Sequence, residues 1–209
     1  MTDNIITSCV NQPKARFVFA HGAGADMNHS FMMQMTQLLL VKKIEVVRFN
    51  FPYMMKRLED GKRRPPDRMP KLIERYLACL KSLPDDLPLF IGGKSMGGRV
   101  AATLASENAY KVSGVVCLGY PFHPPKKLDK LRLEPLQITT APVLIIQGQR
   151  DSMGTEEEVL SYALSDNCHI EFLPDGDHDL KPRKRSGYSH EQHLNFSAKL
   201  IEKFIDEYC

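Results

Sequence analysis

The sequence predicts an α/β fold: a mostly parallel sheet of about six core strands with helices on both faces. Three observations lead to that class. Short runs rich in Val, Ile, Leu and Phe alternate with longer amphipathic segments. The short runs are apolar throughout, as strands buried on both faces require. No repeat at solenoid period and no low-complexity tract interrupts the alternation.

Strands are expected at Arg16 to Ala20, Ile44 to Phe49, Leu87 to Ile91, Val112 to Leu118, Val143 to Gln147 and Ile170 to Leu173, with an edge strand around Asn4 to Val10. Helices are expected at Ser30 to Lys42, Asp67 to Ser82, Gly97 to Asn108, Thr155 to Ser165 and Ser189 to Tyr208. In the second helix Leu72, Ile73, Tyr76, Leu80 and Leu83 recur at helical spacing, and Pro84 closes it. In the last, Leu194, Phe196, Leu200, Ile201, Phe204 and Ile205 form an apolar stripe opposite Glu202, Lys203, Asp206 and Glu207. Met54 to Pro70 and Pro121 to Pro135 hold the prolines and glycines of irregular loops.

At 209 residues, 43% hydrophobic and 25% charged, the chain suits one domain, residues 1–209, with a real core. A chain of this length buries roughly 70% of its unfolded surface. Its longest apolar runs fall far short of the roughly 18 residues that span a bilayer, and Met1 to Val10 carries Asp3 with no basic start. No membrane span and no export signal are expected. Five scattered cysteines, an odd number with no CxxC pair, suggest neither a disulfide framework nor a zinc site, so a cytoplasmic setting fits best. A net charge of +3 gives no ground to expect nucleic acid as a partner.

The chemistry concentrates at Gly93-Lys94-Ser95-Met96-Gly97, where an apolar run meets a helical pattern. A Gly-x-Ser-x-Gly at a strand-to-helix turn lifts the serine to the tip of a sharp, strained elbow. The plainer reading is a glycine turn with a capping serine. A phosphate-binding P-loop is excluded, because its pattern needs a glycine five positions before Gly93 and position 88 is Pro88. A serine hydroxyl needs a base to take its proton and an acid to orient that base. Asp151 follows the run Val143 to Gln147, and His178 follows Ile170 to Leu173, so acid and base come in the order the elbow demands.

Strand-to-helix loops of a parallel sheet emerge on one edge, which places Ser95, Asp151 and His178 together as expected catalytic residues. Asp151 could instead cap the next helix. Asp175, Asp177 and Asp179 are alternative acids, poorer ones because they adjoin His178 in the chain. His29, His123, His169, His190 and His193 are expected as surface histidines, and His21 as a structural one. For the oxyanion, one backbone N–H is expected from Met96 and a second from His21-Gly22-Ala23-Gly24, with Ala23 the choice and Gly24 the alternative.

These motifs resemble the serine hydrolases of α/β-hydrolase fold, over nearly the whole chain from Arg16 to Tyr208. The strings His21 to Met27 and Gly93 to Arg99 resemble the small lidless group that includes testis-expressed protein 30, the hydrolase-like part of NSL complex subunit 3 and bacterial relatives. The resemblance implies a Ser95, Asp151 and His178 triad with no metal and no organic cofactor. Pro121 to Pro142 is too short for the folded cap many members insert, so no large cap domain is expected. Dienelactone hydrolases, a near relation in size, carry cysteine at the elbow where this chain has Ser95.

The expected activity is cleavage of an ester, thioester or related acyl bond of a small-molecule substrate through an acyl-enzyme on Ser95. In the loops Asn50 to Lys71, Tyr120 to Pro135 and Pro174 to His190, basic residues outnumber acidic ones by about two to one, and acidic ones prevail elsewhere. A solvated loop face is the ordinary meaning of such runs. An anionic substrate is the sharper one. The alternative from another class is a hydrolase-like interaction module that binds a protein or anionic partner through those basic loops without turnover.

Overall fold

The computed structural model describes residues 5–209. Seven strands join one sheet: β1 (Ile5–Ser8), β2 (Ala15–Ala20), β3 (Ile44–Phe49), β4 (Leu89–Lys94), β5 (Gly114–Leu118), β6 (Val143–Gly148) and β7 (Cys168–Leu173). Their spatial order is β1-β3-β2-β4-β5-β6-β7, parallel except for β1, which pairs antiparallel with β3. The expected edge strand is therefore present from Ile5. Asn4, where that expectation began, lies outside the described residues.

The helices are α1 (Ser30–Val41), α2 (Pro52–Asp60), α3 (Met69–Lys81), α4 (Met96–Ser106), α5 (Glu134–Ile138), α6 (Glu156–Leu160) and α7 (His190–Tyr208). Alternate residues of each central strand enter two cores. Val18, Val47, Ile91, Val115 and Ile145 pack with Tyr76, Leu80 and Val100 of α3 and α4. Phe17, Val46, Phe90, Val116 and Ile146 pack on the other face with Met35 and Leu39 of α1 and Ile201 and Phe204 of α7. Because both faces are covered, the middle strands carry apolar side chains on both faces. β7 departs from that pattern: as an edge strand it alternates half-buried and exposed residues up to buried Leu173.

Some strand ends shift by two or three residues, β4 for instance running on to Lys94, and three segments differ more from the sequence expectation. The stretch expected to be irregular from Met54 begins inside α2, which opens with Pro52 in its first turn and stops at left-handed Gly61 (φ 71°). Tyr53 and Met54 anchor it in the core. The tail of the second proline-rich loop forms the short α5, which buries Leu136. α6 ends at Leu160, five residues before its expected end, since Val159 is its one buried residue and little holds a longer helix to the sheet. No cap domain covers the C-terminal edge of the sheet: the connection from β5 to β6 contains only α5.

The strand order reverses direction between β2 and β4, so the loops leaving these neighbours diverge and open a crevice at their C-terminal ends. Ala20 leads into His21 on one side of that crevice, and Lys94 leads into Ser95 on the other.

Candidate active site

Ser95 has φ 52° and ψ −115°, in left-handed territory that non-glycine residues rarely occupy. The turn is possible because its flanks lack side chains. A Cβ at Gly97 would lie 2.3 Å from the Ala20 carbonyl oxygen, and one at Gly93 2.5 Å from the same atom. The serine stands at the N-cap position of α4, yet its hydroxyl makes no capping hydrogen bond. Its Oγ is instead 2.8 Å from His178 Nε2.

His178 Nδ1 lies 2.7 Å from Asp151 Oδ2. Asp151 is fully buried, and both of its oxygens are engaged: Gln147 Nε2 donates to Oδ2 at 2.9 Å, and the Met153 N–H donates to Oδ1 at 2.8 Å. Those donors compensate the burial of its oxygens. An acceptor at Nδ1 holds the proton there and leaves Nε2 free to accept from the serine hydroxyl. The structure thus aligns Ser95, His178 and Asp151, contributed by the loops after β4, β7 and β6.

The other acids are engaged elsewhere. Asp175 is paired with Arg183 and, at 2.9 Å, with Arg150. Asp177 accepts from the Asp179 and Lys181 N–H groups, and Asp179 approaches Lys94 Nζ at 3.3 Å. α6 is capped by Thr155 in a capping box with Glu158, so Asp151 is not its cap.

His21 is fully buried at the end of β2. Its Nδ1–H donates to Gly22 O at 2.7 Å, and its Nε2 accepts from the Phe51 N–H at 3.1 Å, which defines the neutral tautomer. Burial lowers its pKa to about 4. Tyr53 Oη donates to Ala23 O at 2.9 Å. In a trans peptide the carbonyl and the following N–H point opposite ways, so these two bonds also direct the Ala23 and Gly24 N–H groups away from His21 and Tyr53. The Met96 N–H, at the first residue of α4, has no intrahelical partner. Two of the histidines expected at the surface, His123 and His193, are buried, each with a ring nitrogen bonded to a main-chain carbonyl.

A cavity of about 600 Å³ opens beside Ser95 and His178. Gly22 to Ala25 form one wall, and the first turn of α1 another. Its ionisable lining includes His29, Lys94, Lys181 and His190 against a single carboxylate, Asp179. Among the described residues no cluster of His, Cys, Asp and Glu is arranged to hold a metal ion. No helix among them is long and apolar enough to cross a membrane.

The sequence model of a family described as an alpha/beta hydrolase domain matches residues 13–206. Est1E from Butyrivibrio proteoclasticus, solved with ferulic acid bound, superposes with a TM-score of 0.74 at 15% identity, covering 98% of this chain and 94% of that one. A dienelactone hydrolase from Anabaena variabilis gives 0.73 at 21% identity, covering 98% and 91%. XC6422 from Xanthomonas campestris, described as a serine hydrolase without lid, gives 0.68 at 14% identity, covering 98% and 88%.

Proposed function

The chain belongs to the alpha/beta hydrolase family, and from that premise we propose that it is a serine hydrolase cleaving an ester, thioester or related acyl bond through an acyl-enzyme on Ser95. The observation that carries this reading is the hydrogen-bonded line from Ser95 Oγ through His178 to buried Asp151, with the serine held at a strained elbow. His178 Nε2 takes the hydroxyl proton as Oγ attacks the acyl carbon. Asp151 holds the ring and balances the imidazolium. The Met96 and Ala23 N–H groups, with Gly24 as the alternative second donor, hold the oxyanion. His178 then protonates the leaving group, and in the second half takes a proton from the attacking water and returns it to Ser95 Oγ as the acid is freed. None of these steps calls on a metal or organic cofactor.

Likeness at 14 to 21% identity speaks for the fold, so the substrate is read from the cavity. Lys181 on its wall, which is exposed, supports a small-molecule substrate that carries a negative charge. Placement in the subgroup of testis-expressed protein 30 and NSL complex subunit 3 rests on the strings His21 to Met27 and Gly93 to Arg99. The cytoplasmic setting rests on the five scattered cysteines.

Labelling with a fluorophosphonate probe tests the mechanism. Wild type should label and Ser95→Ala should not. A wild type that stays unlabelled where related hydrolases react would favour the interaction module. A screen of p-nitrophenyl esters of graded chain length, with thioesters and small amides, then locates the acyl preference.

A further inference from the structure

The mechanism above makes no use of Lys94, the residue immediately before Ser95. Its side chain is only 9% exposed, at the C-terminal end of β4. A buried ammonium is costly unless its donors find partners. Here Nζ donates to the main-chain oxygen of His178 at 2.6 Å, approaches Asp179 Oδ1 at 3.3 Å and lies 5.8 Å from the centre of the Phe31 ring. Burial lowers its pKa while Asp179, Asp151 and Asp177 oppose the shift.

Room for the ammonium depends on Gly119. A Cβ there would lie 2.7 Å from His178 O, the atom the ammonium binds, and 3.3 Å from Lys94 Nζ, and its φ of 65° favours glycine as well. The next two carbonyls of the same loop are also held, both from α7. His190 Nε2 is 3.0 Å from Asp179 O, and His193 Nδ1 is 2.8 Å from Leu180 O. Three successive carbonyls, of residues 178, 179 and 180, thus each meet a basic side chain. Asp175 (φ 55°) and Leu180 (φ 62°) bracket the segment in left-handed backbone. Such conformations persist where surrounding contacts over-determine them.

We infer that Lys94 is a positioning residue for the proposed reaction: its ammonium binds the His178 loop to the nucleophile strand. This rests on the serine-hydrolase reading. Ser95 holds the imidazole by its tip, and Lys94, its chain neighbour, holds the backbone oxygen of the same histidine. Attachment of one residue at two points on one strand sets the ring's orientation as well as its distance. His190 and His193 extend the clamp along the loop.

The test combines fluorophosphonate titration of active sites with kcat and KM for a short neutral ester, on protein whose fold is checked by circular dichroism. Lys94→Met keeps the bulk and removes the donor. It should still label, with kcat per titrated site lowered about ten- to a hundred-fold and KM within about two-fold, as for a reacting group shifted by a fraction of an ångström to an ångström. His190→Ala, at a half-buried position, should lower kcat in the same way by about five-fold, and it decides the matter if Lys94→Met does not fold. A folded Lys94→Met with kcat per site near wild type overturns the inference. So does a loss confined to the number of titratable sites, or, where Lys94→Met does not fold, an unchanged His190→Ala. An unlabelled wild type overturns the serine-hydrolase reading and this inference with it, whereas labelling with an unaffected Lys94→Met overturns this one alone.

Discussion

A histidine next to a nucleophile invites a catalytic role, yet His21 and His178 differ in what surrounds them. His178 faces a carboxylate and a hydroxyl, and His21 faces a carbonyl and an amide N–H. Those partners fix His21 as a neutral ring that shapes the wall at Gly22 to Ala25, the structural role its string suggested. Its burial makes a prediction about acid stability. The folded protein holds this ring near pKa 4, against 6.5 for the free side chain. Between those values the unfolded chain takes up a proton that the folded one refuses, so stability present above about pH 6.5 is lost as the pH falls toward 4, by up to about 3 kcal/mol. In His21→Gln that acid-side loss should be absent. Urea unfolding from pH 7 to pH 4 checks it: a gap between wild type and variant that stays constant with pH would contradict the assignment.

At the scale of elements, the elbow is held from behind by α3. Tyr76 is fully buried, and its Oη lies 2.6 Å from Val18 O and accepts from the Gly92 N–H at 3.0 Å. The hydroxyl links β2 and β4 three residues before Ser95. Tyr76→Phe leaves a buried carbonyl and a buried N–H without this partner, so unfolding should become easier by about 1 to 3 kcal/mol. kcat per titrated site should change little, because the sheet ladder still carries Lys94 and Ser95. A large fall in kcat with an unaltered unfolding curve would show the opposite division of labour. The long helices were the most legible. α3 and α7 follow their apolar periodicity closely, while α2 was hidden among charged residues and recognisable only by its stop signals, Pro52 at the start and Gly61 at the end.

For the molecule as a whole, a net charge of +3 is a sum over a mixed surface. The dense cationic points at Lys62, Arg63, Lys126, Lys127, Lys184 and Arg185 are exposed on loops, whereas Arg64 and Arg183 are paired with Asp60 and Asp175. Nearer the nucleophile, Lys181 is exposed and lines the cavity. An ester with a carboxylate on its acyl chain should therefore be preferred over its neutral isostere at low ionic strength. That preference should fade as added salt shortens the screening length to about 8 Å and below. Lys181→Glu should reduce it further without reducing turnover of the neutral ester. Equal kcat/KM for the two esters at low salt would refute an anionic substrate.

The order of the chemical groups could be read from the sequence alone: a serine between a strand and a helix, an aspartate after one later strand and a histidine after the next. Strand periodicity, glycine at tight turns and the shared exit edge of parallel strands are local or topological properties, so they survive in one dimension. The tertiary structure decided what depends on distances between remote segments. It brought Asp151 to His178, sent Asp175, Asp177 and Asp179 to other partners, buried His123 and His193, and placed Lys94 beneath the histidine loop. A lysine in the string Gly93-Lys94-Ser95 announces a positive charge next to a nucleophile. Only the folded sheet shows that the charge faces a carbonyl 84 residues away.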